Sequence, residues 1–169
     1  MRRLSFALIF LLAHLTAGPA PAQAADAGAR EARTDTPSGF PVPRFVSLKN
    51  PRTHCRRGPS FDHPVAVTYV RAGLPVEIVA ETIDHWRKIR DHEGAECWVH
   101  QTTLRAVDHV IVLNDLEIRA RPDPSAPARA RLAAGVIAKL ERASGDWRLV
   151  SVGGRRGWAR REQLWGAEP

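Results

Sequence analysis

Two cysteines and seven histidines are the side chains of this 169-residue chain best suited to hold or attack something. Cys55 follows His54, and Cys97 lies between His92 and His100. If those segments converge, Cys55, Cys97, His100 and one further histidine would form a tetrahedral zinc site. An even pair of cysteines in an exported chain reads first as a disulfide, with the histidines solvated. Closing a loop of that length would stabilise a small domain by about 4 kcal/mol through lost chain entropy. Ser47 and Ser60 with His54 and His63 supply the ingredients of a nucleophile and its base. No nucleophile elbow, phosphate-binding glycine loop or zinc-protease helix accompanies them. The expectation is therefore a protein that is not an enzyme and needs no cofactor or metal. The other chemistry-bearing group is a run of arginines, Arg155, Arg156, Arg160 and Arg161, around a predicted hairpin. Such a cluster can hold phosphate or carboxylate groups; it reads equally as a solvated, solubilising face.

Compartment narrows the partners. Arg2 and Arg3 precede the apolar run from Leu4 to Ala13, and Pro19 and Pro21 break the chain beyond it. Ala22-Gln23-Ala24 then has the small-x-small pattern of a cleavage site. Residues 1–24 read as a signal peptide. The apolar run is shorter than the roughly 20 residues of a permanent span, so no stable membrane anchor is expected after cleavage. The expected location is periplasmic or secreted. Nucleic acid is a poor partner there; anionic glycans, lipid headgroups and acidic peptides are better ones. The formal charge of +7 falls to +5 when the two leader arginines are removed. Residues 45–104 hold eight Lys/Arg and seven Asp/Glu, against twelve and eight in residues 105–169. The second half is the basic one, and an electrostatic partner is expected to prefer it.

Those residues sit in a duplicated framework. DHWRKIRDHEGAECWVHQTTL, starting at Asp84, returns as GDWRLVSVGGRRGWARREQL, starting at Gly145. Trp86 matches Trp147, Ile89 matches Val150, Trp98 matches Trp158, and Leu104 matches Leu164. Upstream, Ala72-Gly73-Leu74 matches Ala134-Gly135-Val136, and Arg56 and Pro59 match Arg119 and Pro122. Cys55 falls on Ile118 and Cys97 on Gly157, so the second copy must manage without a bridge. A repeat of about sixty residues suits a small self-contained domain better than a solenoid unit.

The signals inside each copy are strand signals. In the first they cover Phe45–Leu48, Val65–Val70, Leu74–Ala80, Trp86–Asp91 and Cys97–His100. In the second they cover Val110–Leu113, Glu117–Arg119, Arg129–Leu132, Ile137–Glu141, Trp147–Val152 and Gly157–Ala159. Gly153-Gly154 is the strongest hairpin signal. Short strands at regular spacing without a helical stretch predict an all-β protein of two small barrels. Residues 25–43, rich in Ala, Arg, Asp, Thr, Pro and Gly, read as a disordered or extended linker. The barrels are expected at 44–106 and 107–167. Ile89 and Val150 should face inward. Trp86 and Trp147, three residues earlier, should face the other way and be displayed outside, or else cover a barrel's end or a module interface.

Each copy resembles a bacterial SH3 domain, two in tandem. The first carries CRRGP, RAGLPVEIV, HWRKI, CWVH and a closing Leu104; the second carries IRARPDP, AAGVIAKLE, DWRLV, GWAR and Leu164. Cys97 departs from the family's usual glycine and Ala159 from its usual valine. The resemblance implies an SH3-like barrel and a non-catalytic binding role in the cell envelope. Its implied ligand is a peptidoglycan peptide or a segment of another exported protein. The residues implied as the site are Trp86 and Trp147 with Arg56, Arg57, Arg119 and Arg121. An adaptor that docks on an exported protein without wall binding is the alternative.

Overall fold

The computed structural model describes residues 32–167. The expected signal peptide and residues 25–31 lie outside the described residues. Seven strands form the first sheet: β1 (Arg44–Leu48), β2 (Thr53–Arg56), β3 (Val65–Tyr69), β4 (Pro75–Glu81), β5 (Trp86–Arg90), β6 (Glu96–His100) and β7 (Leu104–Ala106). Seven more form the second: β8 (His109–Val112), β9 (Leu116–Arg119), β10 (Ala128–Leu132), β11 (Ile137–Ser144), β12 (Trp147–Val152), β13 (Arg155–Arg160) and β14 (Leu164–Trp165). The strand order is β3-β2-β6-β5-β4-β1-β7 in the first and β10-β9-β13-β12-β11-β8-β14 in the second. Adding seven to each label of one gives the other, so the duplication read from the sequence is a duplication of topology.

The matched residues build matched turns. Gly73 and Gly135 adopt φ of 81° and 78°, left-handed values that cost glycine nothing. Each donates its N–H over 2.8 Å, to the carbonyls of Leu48 and Val112 respectively. A bulge interrupts β4 between Ile78 and Ala80, and another interrupts β11 between Leu140 and Arg142. Gly153 and Gly154 close the β12–β13 hairpin with φ of 55° and 75°, the double left-handed turn that suits strand twist.

Each sheet encloses its own core. Leu48, Cys55, Val76, Ile78, Ile89 and Val99 fill the first. Val110, Val112, Leu116, Ile118, Val150 and Leu164 are among those that fill the second. Between the barrels the Phe45 ring stands edge-on to Trp165 at 5.0 Å. A Cβ at Gly166 would lie 2.8 Å from the Cβ of Pro75, so the backbones meet closely there.

Three expectations need correction. The β2 strand carries no strand signal in the sequence, because Thr-His-Cys-Arg offers little apolar patterning; its inward positions are Thr53 and Cys55. Three-residue 3-10 turns, Gln101–Thr103 and Arg161–Gln163, lead into β7 and β14 and are too short to carry a helical period. Residues 32–43, within the stretch expected as a disordered or extended linker, pack against the first barrel. Arg33 and Val42 exchange backbone hydrogen bonds of 2.8 and 2.9 Å, and the Ser38 amide donates to the Glu81 carboxylate over 3.1 Å. Val42 is 4 % exposed and joins the first core, burial that its Pro- and Gly-rich surroundings conceal. No helix of the described residues is long and apolar enough to cross a membrane.

Candidate binding cleft

The cysteines are joined. Cys55 on β2 and Cys97 on β6 form a disulfide with an S–S distance of 2.00 Å, inside the first core. The zinc alternative thereby loses both sulfur ligands. The second barrel solves the same packing problem differently. At Gly157 an added Cβ would lie 2.9 Å from the Cβ of Ile118 and 3.0 Å from the carbonyl oxygen of Arg119. Ile118 occupies the space that the cystine fills in the first barrel.

The tryptophans face as the strand period requires, but they are not displayed. Ile89 and Val150 are fully buried in their cores, while Trp86 and Trp147 stand on the opposite faces and are still only 5 % and 9 % exposed. Different groups cover them. Phe61, in the loop between β2 and β3, meets Trp86 at 4.9 Å, and His100 meets it at 5.6 Å. Over Trp147 lies the guanidinium of Arg160, 4.3 Å from the ring centroid.

The residue after each tryptophan is a buried arginine that strand patterning does not reveal. Arg87 reaches the Glu81 carboxylate at 3.2 Å and donates to Gln101 Oε1 at 2.9 Å and to the Trp86 carbonyl at 3.1 Å. Arg148 donates to the carbonyls of Ala167, Gly145 and Trp147 at 2.8, 2.7 and 3.1 Å. The Trp-Arg dipeptide in both copies is the available signal. Burial pushes the Glu81 carboxyl up. Hydrogen bonds from Ser38 and Arg44, with the charges of Arg44 and Arg87, outweigh that and hold it below its ordinary value.

The remaining arginines divide into those that hold a loop and those that are exposed. Arg56 donates to the His63 carbonyl at 2.7 Å, and Arg119 to the Ala126 carbonyl at 2.8 Å; each holds its own loop closed. Arg57 and Arg121 are exposed. Arg156 pairs with Glu141 at 2.6 Å. Arg155 and Arg160 occupy opposite ends of β13, about 17 Å apart at strand rise, so Arg155, Arg156, Arg160 and Arg161 do not form one patch. Ser60 Oγ and His63 Nδ1 do meet, at 2.9 Å. The hydroxyl also accepts the Asp62 amide at 3.2 Å, and no carboxylate partners the His63 ring among the described residues. The pair orders the loop and lacks the third group that would orient a base.

What the first barrel offers is a cleft of about 240 Å³ beside Trp86 and Phe61, with Arg52, Thr53, His54 and His100 around it. His54 and His100 each use Nδ1 for a threonine hydroxyl, Thr68 at 3.0 Å and Thr102 at 2.9 Å. His85, whose ring stands edge-on to His100, adopts φ of 66°, a left-handed value uncommon outside glycine. Thr53 is 1 % exposed, and its hydroxyl has no hydrogen-bond partner among the described residues. The matching positions of the second barrel carry Asp115 for Arg52, Leu116 for Thr53, Glu117 for His54 and Arg160 for His100. A wider, mostly apolar groove of about 520 Å³ lies between residues 38–46 and 101–107. Its Arg44 and Arg87 share the Glu81 carboxylate, and its Arg105 pairs with Asp108.

Two small antiparallel barrels with identical strand order, each with its own core, define a tandem β-barrel protein. The family model for the bacterial SH3 domain matches residues 49–106 and again 114–166, and the chain belongs to that family. No curated protein matches it. Among solved structures, NlpC2 and NlpC1 of Trichomonas vaginalis are similar at 12 % identity. Their TM-scores are 0.34 and 0.33. Each comparison covers 73 % of this chain, and 48 % and 45 % of the respective neighbour. The chain thus spans about half the length of those neighbours.

Proposed function

We propose that this chain is a non-catalytic, exported binding protein of the bacterial cell envelope, and that its first barrel carries the ligand site for peptidoglycan peptides. The observation that carries this reading is the cleft of the first barrel. It combines a ring wall, Trp86 and Phe61, with a cation, Arg52, that has no ion pair or hydrogen bond among the described residues. Family membership, the leader-like first 24 residues and the internal disulfide support an exported binding module. The second barrel serves as the fixed neighbour of the first rather than as an equal site, because Arg160 already lies on its tryptophan.

Co-sedimentation of the full chain with purified peptidoglycan tests the proposal. The native protein is expected in the pellet. Phe61→Ala combined with His100→Ala, which strips the walls from the cleft and leaves the core residues in place, is expected in the supernatant. Arg155→Ala, at the far hairpin, is the control that pellets normally. A native protein that stays in the supernatant ends the wall reading.

A second reading, an adaptor that docks on another exported protein, has one observation in its favour. The 520 Å³ groove adjoins Val107, in the segment joining the barrels, and includes Phe45, which touches Trp165 of the second. That reading expects capture of a protein partner to be lost on Phe40→Ala, a change at an exposed ring, while the cleft variants leave it intact.

A further inference from the structure

Resting on that assignment of the cleft, the geometry points to a more definite ligand: we propose that the first barrel holds a short peptide end carrying a free carboxylate. No aspartate or glutamate lines the cleft. Of its two arginines, Arg56 is committed to the His63 carbonyl, whereas Arg52 makes no hydrogen bond or ion pair among the described residues. An unpaired guanidinium beside a partly enclosed space selects a planar anion that it can meet with two parallel bonds. Thr53 lines the same cleft and carries a buried hydroxyl with no partner among the described residues, an arrangement that costs stability. His54 and His100 supply further ring nitrogens at the rim. Trp86 and Phe61 offer an apolar wall for whatever precedes the anion.

Size limits the guest. A volume of about 240 Å³ is below the roughly 300–1,000 Å³ of a typical small-molecule site, so the cleft takes a chain end rather than a folded surface. The second barrel supplies the contrast. Asp115 and Glu117 stand where the first has Arg52 and His54. Asp115 is already engaged, with the Ala134 amide at 3.0 Å and Arg131 at 3.3 Å. A carboxylate that fits the first barrel meets like charge at the corresponding corner of the second.

The test is a titration of the full ¹⁵N-labelled chain with N-acetyl-dialanine and with its C-terminal amide, read at the indole N–H signals of Trp86 and Trp147. The free acid is expected to move Trp86 and leave Trp147 in place. The amide, which lacks the charge, is expected to bind at least about tenfold more weakly, as loss of a hydrogen bond between charged groups implies. Arg52→Gln, at an exposed position, should weaken the acid by about the same factor and leave the amide unchanged. Equal binding of acid and amide, an Arg52→Gln variant that binds the acid normally, or a silent Trp86 signal overturns the proposal. Dialanine ending in a D residue against the same peptide ending in an L residue separates a wall peptide from a protein tail as the source. The two readings fail separately. Pelleting with peptidoglycan while acid and amide bind alike sinks only the carboxylate. Selective binding of the L acid without pelleting keeps the carboxylate and sinks the wall.

Discussion

The two barrels share a topology and differ in how they close the core, in what stands at one inward strand position and in what covers the tryptophan. The first closes its core with Cys55–Cys97, places Thr53 on an inward strand position and covers its tryptophan with Phe61 and His100. The second uses Ile118 against a bare Gly157, puts Leu116 at the inward position and lays Arg160 on its tryptophan. At the Thr53 and tryptophan positions the second barrel is the more self-sufficient object, although its Trp165 Nε1 is likewise buried without a partner among the described residues. The position that holds Thr53 in the first barrel holds Leu116 in the second, and a cation already occupies its ring face. The first barrel leaves a hydroxyl without a partner and an arginine without an anion, and it carries the covalent brace. In a protein of this size a binding site is a local departure from good packing, and the disulfide is where the departure is offset.

That contrast can be broken most forcefully at the brace. Reduction, or Cys55→Ala with Cys97→Ala, should destabilise the first barrel by about 4 kcal/mol, as the chain-entropy estimate for a 42-residue separation gives. The second barrel should be untouched. Calorimetry should then show one transition falling and the other staying put; a single transition that moves as a whole would make the two halves one cooperative unit. Gly157→Ala comes next and acts on the other barrel. The new methyl meets Ile118 and a backbone carbonyl that cannot swing aside, so urea denaturation should report a loss of about 1–3 kcal/mol, with the first barrel unchanged. The smallest effect sharpens the comparison. Thr53→Val removes the orphaned hydroxyl at constant shape and should stabilise the first barrel by about 1 kcal/mol while weakening retention of the peptide acid. A destabilised Thr53→Val protein would mean the hydroxyl has a partner in solution.

Local patterns carry most of the fold. The Ala-Gly turns and the alternating strands after them, present in both barrels, and the Gly153-Gly154 hairpin of the second each depend on a few consecutive residues. The cysteine pair is legible because an even pair in an exported chain has few alternatives. The cleft is less so. Trp86 can be placed on the outer face of β5 from its distance to Ile89, but the residues that cover it come from the β2–β3 loop and the end of β6. No period in the sequence links Phe61 to Trp86. Arg56 and Arg119 read as ligand groups because arginines at the start of a proline-containing loop look available. They are held by carbonyls of that same loop, a partner that composition does not display. Arg52, the cleft arginine that makes no hydrogen bond or ion pair among the described residues, stands in a stretch with no strand signal at all.

The sheet order has a practical consequence for dissecting the molecule. The family matches begin at residues 49 and 114, which excludes β1 and β8. Yet β1 lies between β4 and β7, and β8 between β11 and β14. A fragment trimmed to the homologous stretch would lose an interior rung and bare two raw strand edges, an invitation to self-association. The stretch that the family model matches is thus shorter than the repeated seven-strand unit that holds itself together, and expression boundaries belong upstream of Val42 rather than at the edge of the family match.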